Sequence, residues 1–429
     1  MVREINLNHI CKIEGHAHLN LKIEHNKVIQ CHLKASEGAR FFEALVLGKQ
    51  VKDVQEIVSR ICGICSSAHT VASIQALEEA LNIKPTRQQK FIRELLMIGE
   101  RIRSHATHLY FLALPDYYNK ASALQLGPEH KEKINDAISL ITLGNKIVEV
   151  FGGREIHPFL DIKEELPQTS LQGILNQLKQ SKPKIIQTIN LFANLQYKKF
   201  ERKTDYLCLK DDKNYANISG KIVTLSGLIN DNNYKRHIKE SVKEYATSKF
   251  ALQNNKPYCV GSIARINNNQ ATIDNETKTI MQQLNISLPF TNPFHNNIAQ
   301  ALELLIHTNQ AIKLIENMPQ KEKLHSTVIK SGHGISAVEA PRGTLFHEYK
   351  INEHGKVTYC NIITPTVQNL NMMESDIAGL VNQLLEEKTS RKQIVLEVEK
   401  LIRSYDPCFS CSTHFLKVNW LEEYNEKTH

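Results

Sequence analysis

The sequence has no run of about 18 consecutive apolar residues, the length that a membrane-spanning helix requires. It also lacks blocks of five or six like charges, because 53 lysines and arginines and 45 aspartates and glutamates are spread along 429 residues. No nucleic-acid-binding arm is therefore expected. The first residues lead into polar sequence instead of a signal-peptide core. We expect a globular protein located in the cytoplasm, with no membrane span of its own.

Cysteine is scarce, since nine residues in 429 are too few for a disulfide framework. Four of them nevertheless form two Cys-x-x-Cys pairs, Cys62 with Cys65 and Cys408 with Cys411. In a chain without a secretion signal, this spacing indicates metal or redox chemistry. The remaining cysteines have no such spacing and are interpreted as small buried apolar residues: Cys11, Cys31, Cys208, Cys259 and Cys360.

Alternating apolar residues predict a β-hairpin near each end of the chain, over 19–33 and over 344–363. Between them, Thr86-x-x-Gln89 is a capping-box signature that opens a helix, and a second helix should end at the glycines 152–153. Further amphipathic stretches lie near 171–195, 297–316 and 375–404, whereas 200–290 shows no clear pattern. These patterns predict one mainly helical α+β domain over residues 1–429, with a central helical bundle and small sheets from the terminal regions.

Each cysteine pair can direct two sulfurs at one ion, and four thiolates can hold zinc, an iron-sulfur cluster or another soft metal centre. A zinc ribbon usually keeps its pairs within a few dozen residues, whereas these pairs lie near opposite ends of the chain. This distance disfavours zinc. His69 follows Cys65 by four residues, so a helix would place both on one face and allow the imidazole to donate to the sulfur.

Residues 60–69 read Arg-Ile-Cys-Gly-Ile-Cys-Ser-Ser-Ala-His, and 406–414 read Asp-Pro-Cys-Phe-Ser-Cys-Ser-Thr-His. Together these strings resemble the signature of nickel-iron hydrogenase large subunits. Residues 104–117 look most similar to the cytoplasmic, nucleotide-linked branch of that family, which includes the sulfhydrogenases. Shorter matches to the family follow in order along the chain: 12–16, 40–43, 152–158, 261–265, 339–343 and 365–366.

The resemblance implies that all four cysteines bind nickel, and that Cys65 and Cys411 also bridge to an iron carrying carbon monoxide and cyanide. Glu14 would be a proton relay that receives its proton from a terminal cysteine, Cys408. A buried carboxylate beside a thiol would have a raised pKa, which suits it to that role.

Arg342 would lie over the metals, where its guanidinium can bond to cyanide and polarise dihydrogen. The resemblance makes Thr366 a hydroxyl donor to the other cyanide. Many membrane-linked relatives have an aspartate in place of Ser104, so one carboxylate partner of Arg342 is expected to be missing here. The residues expected to surround the metal ligands are His69, Pro341, Thr366 and Asp406.

A third ion, magnesium or iron, is implied on Glu43, His414 and the backbone carbonyl of Ile362. Maturation in the family often ends with cleavage directly after this histidine. Residues 415–429 are therefore predicted to be a propeptide, with retention of the tail as the alternative.

The implied activity is reversible cleavage of dihydrogen. No further cysteines here could hold clusters, so the electrons should leave through an iron-sulfur small subunit and then through flavin- and nucleotide-binding subunits. A maturation protease and nickel-insertion factors are also implied. Two other interpretations stay open: a zinc-stabilised, non-catalytic assembly protein, and a quinone-site subunit related to respiratory complex I, which generally lacks these cysteines.

Overall fold

The computed structural model describes residues 3–36, 38, 41–160, 171–225, 227–230, 233–322 and 330–413. Within them, the predicted fold class is confirmed, because a mainly helical centre is combined with small sheets formed largely by the two terminal regions. Two predictions concern residues outside this part of the chain, namely the role of His414 and the fate of the tail 415–429.

Helices dominate the middle of the chain. They are α1 (Phe42–Leu45), α2 (Val51–Val58), α3 (Ser66–Leu81), α4 (Arg87–Thr107), α5 (Leu114–Tyr117), α6 (Lys131–Gly152), α7 (Gln172–Ala193), α8 (Tyr234–His237), α9 (Ser262–Asn268), α10 (Asn275–Gln283), α11 (Asn296–Glu316), α12 (Pro365–Glu386), α13 (Arg391–Ser404) and α14 (Phe409–Ser412). A π-helical segment, His108–Ala113, joins α4 to α5. None of the described helices combines the length and apolar composition needed to cross a bilayer.

The strands of the described part of the chain are short and form five small sheets. They are β1 (Arg3–Leu7), β2 (Ala17–Glu24), β3 (Lys27–Ala35), β4 (Asp205–Tyr206), β5 (Cys208–Lys210), β6 (Lys221–Thr224), β7 (Gly227–Ile229), β8 (Ile238–Val242), β9 (Lys249–Gln253), β10 (Tyr258–Cys259), β11 (Gly332–Ala340), β12 (Gly343–Ile351) and β13 (Val357–Ile363). Three antiparallel sheets have the orders β1-β2-β3, β5-β6-β7 and β11-β12-β13, whereas β8 pairs antiparallel with β9 and β4 pairs parallel with β10.

The predicted helix boundaries at α4 and α6 are confirmed. Thr86 Oγ1 accepts a hydrogen bond from the Gln89 amide at 3.1 Å, and Gln89 Oε1 accepts one from the Thr86 amide at 2.8 Å. This reciprocal cap satisfies amide groups that have no partner inside the helix. At the end of α6, Gly153 takes a φ of 74°, the left-handed conformation that glycine adopts without steric cost.

Two predictions along the chain need correction or completion. The amphipathic stretch near 375–404 is not one helix, because α12 ends at Glu386 and α13 starts after Ser390, whose hydroxyl caps the Gln393 amide at 3.4 Å. The segment 200–290 contains strands β4 to β10 and helices α8 to α10. These strands have two to five residues, too few for apolar alternation to identify them.

The N- and C-terminal regions meet at a parallel β-bridge between Glu14 and Cys408. The Phe409 amide donates to the Glu14 carbonyl at 3.0 Å, so the backbone itself joins these segments. A contiguous cluster of buried apolar residues extends from Ile5 to Cys411. The second cysteine pair is thereby brought to the first by the packing of the fold.

Helices α4 and α6 approach closely at two glycines. A Cβ added to Gly144 would lie 2.6 Å from the Gly99 carbonyl oxygen and 2.7 Å from the Arg103 amide nitrogen. Arg103, whose backbone lies in this contact, donates a hydrogen bond from its side-chain Nη2 to the Ile64 carbonyl at 2.9 Å. Close helix packing therefore helps to position the loop of the first cysteine pair.

We predict that Gly144→Ala destabilises the protein, because the added methyl group forces two helix backbones apart. Overpacking of this kind costs about 1–3 kcal/mol, so the thermal unfolding midpoint should fall by several degrees. The control is Gly173→Ala in α7, where an added Cβ meets no atom of the described residues within 4 Å. A midpoint for Gly144→Ala equal to that of the control would contradict the close packing.

Candidate metal centre

The four paired cysteines stand at the starts of two helices. Cys62 follows a single 3₁₀ turn, and Cys65 is the residue before α3. Cys408 is the residue before α14, and Cys411 lies within that helix. All four are buried.

Their sulfur atoms form one cluster. The Sγ atoms of Cys62 and Cys408 are 3.5 Å apart, those of Cys65 and Cys411 are 3.3 Å apart, and those of Cys408 and Cys411 are 2.8 Å apart. All four sulfurs lie within 4.8 Å of one another, and all four cysteines are free of disulfides. Among the described residues, no other group of three or more histidines, cysteines and acids has metal-binding geometry.

The electrostatics of the cluster depend on whether a cation is present. Burial raises the pKa of the Cys408 and Cys411 thiols well above the usual range. Burial also opposes ionisation of Cys62, but hydrogen bonds from the other three sulfurs outweigh it and lower the pKa of that thiol. The protein alone therefore favours one thiolate among neutral thiols, whereas a bound cation would favour four thiolates.

Glu100, which was not predicted from the sequence, fixes the start of α3. Its Oε2 accepts from the Ser67 amide at 2.5 Å and its Oε1 from the Ala68 amide at 3.1 Å. Burial raises the pKa of this carboxyl to about 7, although the Arg103 guanidinium opposes the shift. Nothing in the sequence distinguishes Glu100 from the other charged residues of α4.

Glu14 lies against the second cysteine pair. Its Oε2 accepts from the Cys408 thiol at 2.8 Å and from the Ser410 amide at 3.3 Å. Gly15, with a φ of 78°, allows this approach, because a Cβ there would lie 2.8 Å from the Ser410 nitrogen. Burial raises the pKa of the Glu14 carboxyl above its ordinary value.

Arg342 is held by the segment that carries the second cysteine pair. Its Nε donates to the Asp406 carbonyl at 2.7 Å, and its Nη2 donates to Asp406 Oδ1 at 2.9 Å. The Thr366 hydroxyl accepts from the Cys408 amide at 2.8 Å. Both Arg342 and Thr366 border a cavity of about 10 Å³ next to the sulfurs, and the other residues around it include Cys65, His69, Leu345 and Pro365.

His69 was predicted to donate a hydrogen bond to a cysteine sulfur. The described contacts of its imidazole are hydrogen bonds that lead through a second histidine to a tyrosine. Its Nδ1 lies 3.1 Å from Nε2 of His347, and Nδ1 of His347 lies 2.7 Å from the Tyr349 hydroxyl. His347 and Tyr349 were not identified from the sequence. The alternation of side chains along β12 could have identified His347 and Tyr349, because it places both on the same face of the strand as Leu345, which borders the cavity.

The residues predicted for a third ion are only partly brought together. Glu43 accepts from Lys249 Nζ at 2.9 and 3.1 Å, so an ammonium group already neutralises this carboxylate. The Ile362 amide donates to Glu43 Oε1 at 2.8 Å, which leaves the predicted role of the Ile362 carbonyl untested. His414, the remaining predicted ligand, lies outside the described residues. Lys249 was not identified from the sequence.

The profile of the family described as nickel-dependent hydrogenase matches residues 40–180 and 186–414 of this chain. This match covers most of the sequence and includes both cysteine pairs. The chain belongs to the nickel-dependent hydrogenase family. The family predicted from the sequence motifs is confirmed.

Curated hydrogenases align with almost the whole chain. Sulfhydrogenase 1 subunit alpha of Pyrococcus furiosus is 35% identical over 424 residues, which cover 96% of this chain and 98% of that protein. The NAD-reducing hydrogenase HoxS subunit beta of Cupriavidus necator is 25% identical, with 97% of this chain and 96% of that protein covered. The predicted similarity to the sulfhydrogenase and nucleotide-linked branch is confirmed.

Solved hydrogenase structures share the fold. An NAD⁺-reducing [NiFe]-hydrogenase in the H2-reduced state superposes with a TM-score of 0.83 at 22% identity, covering 96% of this chain and 99% of that chain. The Ni-Fe-Se hydrogenase of Desulfovibrio vulgaris Hildenborough in the reduced state gives a TM-score of 0.77 at 21% identity, covering 96% and 100%. At these identities the likeness concerns the fold alone.

The residues of the cysteine cluster fit the nickel that this family requires. Four thiolates are soft donors that suit nickel, and a cation would relieve the cost of ionising four buried thiols. Arg342 Nη1 is buried and has no hydrogen-bond partner among the described residues. A buried donor is seldom left unpaired, so Nη1 has a hydrogen-bonding position free for an acceptor on a bound group. Ser104 Oγ is similarly unpaired, and Asp406 is the carboxylate that contacts Arg342.

We predict that Cys411→Ser lowers the nickel content of purified protein to below about a tenth of the wild-type value, because a hydroxyl is a harder and far less acidic ligand than a thiol. The matched control is Cys208→Ser. This cysteine is equally buried, but its sulfur accepts from Asn268 and Asn269 amides at 3.5 Å. Wild-type nickel content in Cys411→Ser, measured by mass spectrometry of the metals, would exclude this residue as a ligand.

Proposed function

We propose that this chain is the catalytic large subunit of a nickel-iron hydrogenase and cleaves dihydrogen reversibly into protons and electrons. The observation that carries the proposal is the cluster of four buried cysteine sulfurs, one of which lies 2.8 Å from the partly buried Glu14 carboxylate. A proton acceptor therefore stands directly beside a site for a soft metal. The nickel-iron centre, when bound, would supply the chemistry that splits dihydrogen and takes up its electrons. Family membership disfavours both the zinc-stabilised assembly protein and the complex I-like subunit.

We propose that all four cysteines would hold nickel and that Cys65 and Cys411 would also hold the iron, as the family resemblance implies. The sulfurs of these two residues are 3.3 Å apart and both border the small cavity, but Cys408 also borders it and lies 2.8 Å from Cys411, so the choice of this pair rests on the family resemblance. A thiolate can bridge two metal ions, and a pair of adjacent sulfurs holds two metals close together. Cys62 and Cys408 would then be terminal ligands.

Cys408 and Glu14 form the proposed proton path. The thiol donates to Glu14 Oε2 at 2.8 Å, which is within reach of direct proton transfer. Burial raises the pKa of the Glu14 carboxyl and so makes the carboxylate a stronger base. The Ser410 amide donates to the same oxygen at 3.3 Å and holds the carboxylate in this orientation.

Carbon monoxide and cyanide ligands on the iron are part of the proposal, on the strength of the family resemblance and two donors beside the cavity. Arg342 Nη1 is a buried donor without a partner among the described residues. Thr366 accepts from the Cys408 amide at 2.8 Å and keeps its hydroxyl hydrogen for donation. Either group can hydrogen-bond a cyanide nitrogen. Pro341 precedes Arg342 in the sequence, and Asp406 forms an ion pair with Arg342 and lies two residues before Cys408. His69 borders the same cavity.

A third ion, magnesium or iron, stays a prediction. Carboxylate and carbonyl oxygens suit a hard cation, but Lys249 Nζ lies 2.9 Å from Glu43, where such an ion would bind. The described residues therefore do not form this site by themselves. Retention of magnesium after dialysis, with its loss in Glu43→Gln, would support the ion, and protein without stoichiometric magnesium or additional iron would rule it out.

We propose that electrons pass to an iron-sulfur small subunit and then to flavin- and nucleotide-binding subunits. Among the described residues, the cysteines outside the central cluster form no second group with metal-binding geometry. The relative from Cupriavidus necator is named as a subunit of an NAD-reducing hydrogenase, which favours such a chain of carriers. A cytoplasmic location is also proposed. Affinity purification from the cytoplasmic fraction, followed by identification of the co-purifying subunits, tests both proposals.

Maturation is proposed to involve nickel-insertion factors and a protease that cuts after His414. The tail 415–429 follows the second cysteine pair by only a few residues, so it could keep that pair away from the first until metal is loaded. Intact mass tests this proposal. Active protein should end at His414, whereas protein made without nickel should retain the tail, and active protein with the full tail would contradict required cleavage.

We predict that Glu14→Gln slows the exchange of deuterium gas with solvent protons by about 10²-fold or more, because the amide matches the carboxylate in shape but cannot accept the proton. Nickel content should be unchanged. The measurement is mass spectrometry of the gas above the protein.

The matched control is Glu374→Gln. Glu374 is buried and, like Glu14, accepts a backbone hydrogen bond, from the Leu33 amide at 2.9 Å, but it contacts none of the four cysteines. The control should exchange deuterium at the wild-type rate. A wild-type rate in Glu14→Gln as well would remove Glu14 from the proton path.

A further inference from the structure

The sequence 261–265, Gly-Ser-Ile-Ala-Arg, resembles the hydrogenase family and has no role in the function proposed above. It forms the start of α9, which begins at Ser262. Arg265 is among the largest fully buried side chains of the described residues. Burial of a guanidinium is costly unless its donors are paired, so the partners of Arg265 indicate what the burial achieves.

Arg265 binds two carboxylates and two carbonyls at once. Glu303 accepts from Nε at 2.6 Å and from Nη2 at 2.7 Å, and Glu339 Oε2 accepts from Nη1 at 2.9 Å. The same two terminal nitrogens donate to backbone oxygens, Nη1 to Ala340 at 3.0 Å and Nη2 to Pro341 at 2.9 Å. Only the planar fork of arginine has donors in all these directions.

The charges around Arg265 are balanced. Arg101 lies 3.9 Å from Glu303, so two guanidiniums face two carboxylates, Glu303 and Glu339, and all four side chains are almost fully buried. His105 also contacts Glu303, at 2.8 Å, but burial lowers the pKa of this imidazole to about 4 and keeps it neutral. The hydrogen bonds from Arg265 to the Ala340 and Pro341 carbonyls are not needed to balance these charges, so they call for another explanation.

Those backbone contacts fix the turn that carries Arg342. Ala340 and Pro341 are the two residues before Arg342, and Gly343 is the residue after it. Gly343 also packs closely against the same segment, since a Cβ there would lie 2.8 Å from the Gly261 amide nitrogen. Residues 260–265 therefore contact the turn 340–343 both before and after Arg342.

We propose that Arg265 is a positioning residue for Arg342, an inference that rests on the proposed hydrogenase function. By holding the Ala340 and Pro341 carbonyls, it sets where the Arg342 guanidinium stands beside the four cysteines. The ordinary alternative is that Arg265 merely stabilises the fold. Arg93 in α4 is an example of a buried arginine with such a structural role, because it is fully buried and makes two hydrogen bonds of 2.7 Å to Glu78.

The informative variant is Arg265→Lys. It keeps the positive charge between Glu303 and Glu339, but an ammonium is a point charge and cannot reach both carboxylates and both carbonyls. Arg93→Lys is the matched control, because it removes a buried fork that does not contact the turn. The comparison variants are Arg342→Lys and the double variant Arg265→Lys with Arg342→Lys.

The experiment uses the purified complex with its partner subunits. The readouts are hydrogen-dependent dye reduction per nickel and hydrogen–deuterium exchange of the peptide that covers residues 338–345. Exchange reports the turn directly and does not require activity. We expect Arg265→Lys to lower the turnover number about 10- to 100-fold, as misplacement of a group beside a reacting centre does, and to speed exchange in this peptide at least about tenfold. Arg93→Lys should do neither.

The double variant decides between the two explanations. If Arg265 acts through Arg342, the double variant should be no slower than Arg342→Lys alone, since coupled residues are not additive. Two results would overturn the positioning role while leaving the hydrogenase function standing. One is a double variant whose loss of turnover equals the product of the two single losses, and the other is an unchanged exchange rate of this peptide in Arg265→Lys. A wild-type complex that contains nickel but has no hydrogen-dependent activity would overturn both.

A milder variant covers the case in which Arg265→Lys does not assemble. Ser262 Oγ accepts from Arg265 Nη2 at 3.0 Å and donates to Glu303 at 2.6 Å. Ser262→Ala should loosen the fork without removing it, with a loss of turnover of about two- to fivefold that disappears in the Arg342→Lys background. A loss of the same size in both backgrounds would refute the proposal.

Discussion

Four cysteine sulfurs buried within 4.8 Å of one another impose the constraint on which the rest of the structure depends. Without a cation, burial keeps most of them protonated, and the pKa values of Cys408 and Cys411 lie well above the ordinary range. With a soft divalent metal, the same four groups become a high-affinity site, because ligand ionisation and metal binding stabilise each other. Folding that brings the two ends of the chain together therefore creates the site and makes it dependent on metal.

The fold brings these ends together with polar contacts as well as apolar packing. The backbone of Glu14 pairs with the segment at Cys408. Asp116 bridges Lys12, near Glu14, and Arg403, near the second cysteine pair. Buried ion pairs of this kind contribute little net stability, but loss of one partner leaves an unpaired buried charge. They suit a site in which sulfur, carboxylate and guanidinium must hold fixed relative positions.

Motifs with short-range geometry were predictable from the sequence, and contacts between distant segments were not. The capping box at Thr86, the glycine end of α6 and both hairpins follow from local rules and are found. Glu100 and Lys249 escaped prediction, because nothing within a few residues of either one indicates that it contacts α3 or Glu43. The break between α12 and α13 was missed, although residues 386–393 are all polar and interrupt the apolar spacing there.

The nickel-iron centre is tested most directly by metal analysis combined with infrared spectroscopy of protein purified without oxygen. We expect nickel stoichiometric with the chain, iron at least equal to it, and infrared bands from carbon monoxide and cyanide. These bands should be lost in a variant that lacks one of the four cysteines, because the centre has no other anchor of comparable softness among the described residues. Protein that contains zinc alone and shows no such bands would contradict the central claim that these cysteines hold a nickel-iron centre.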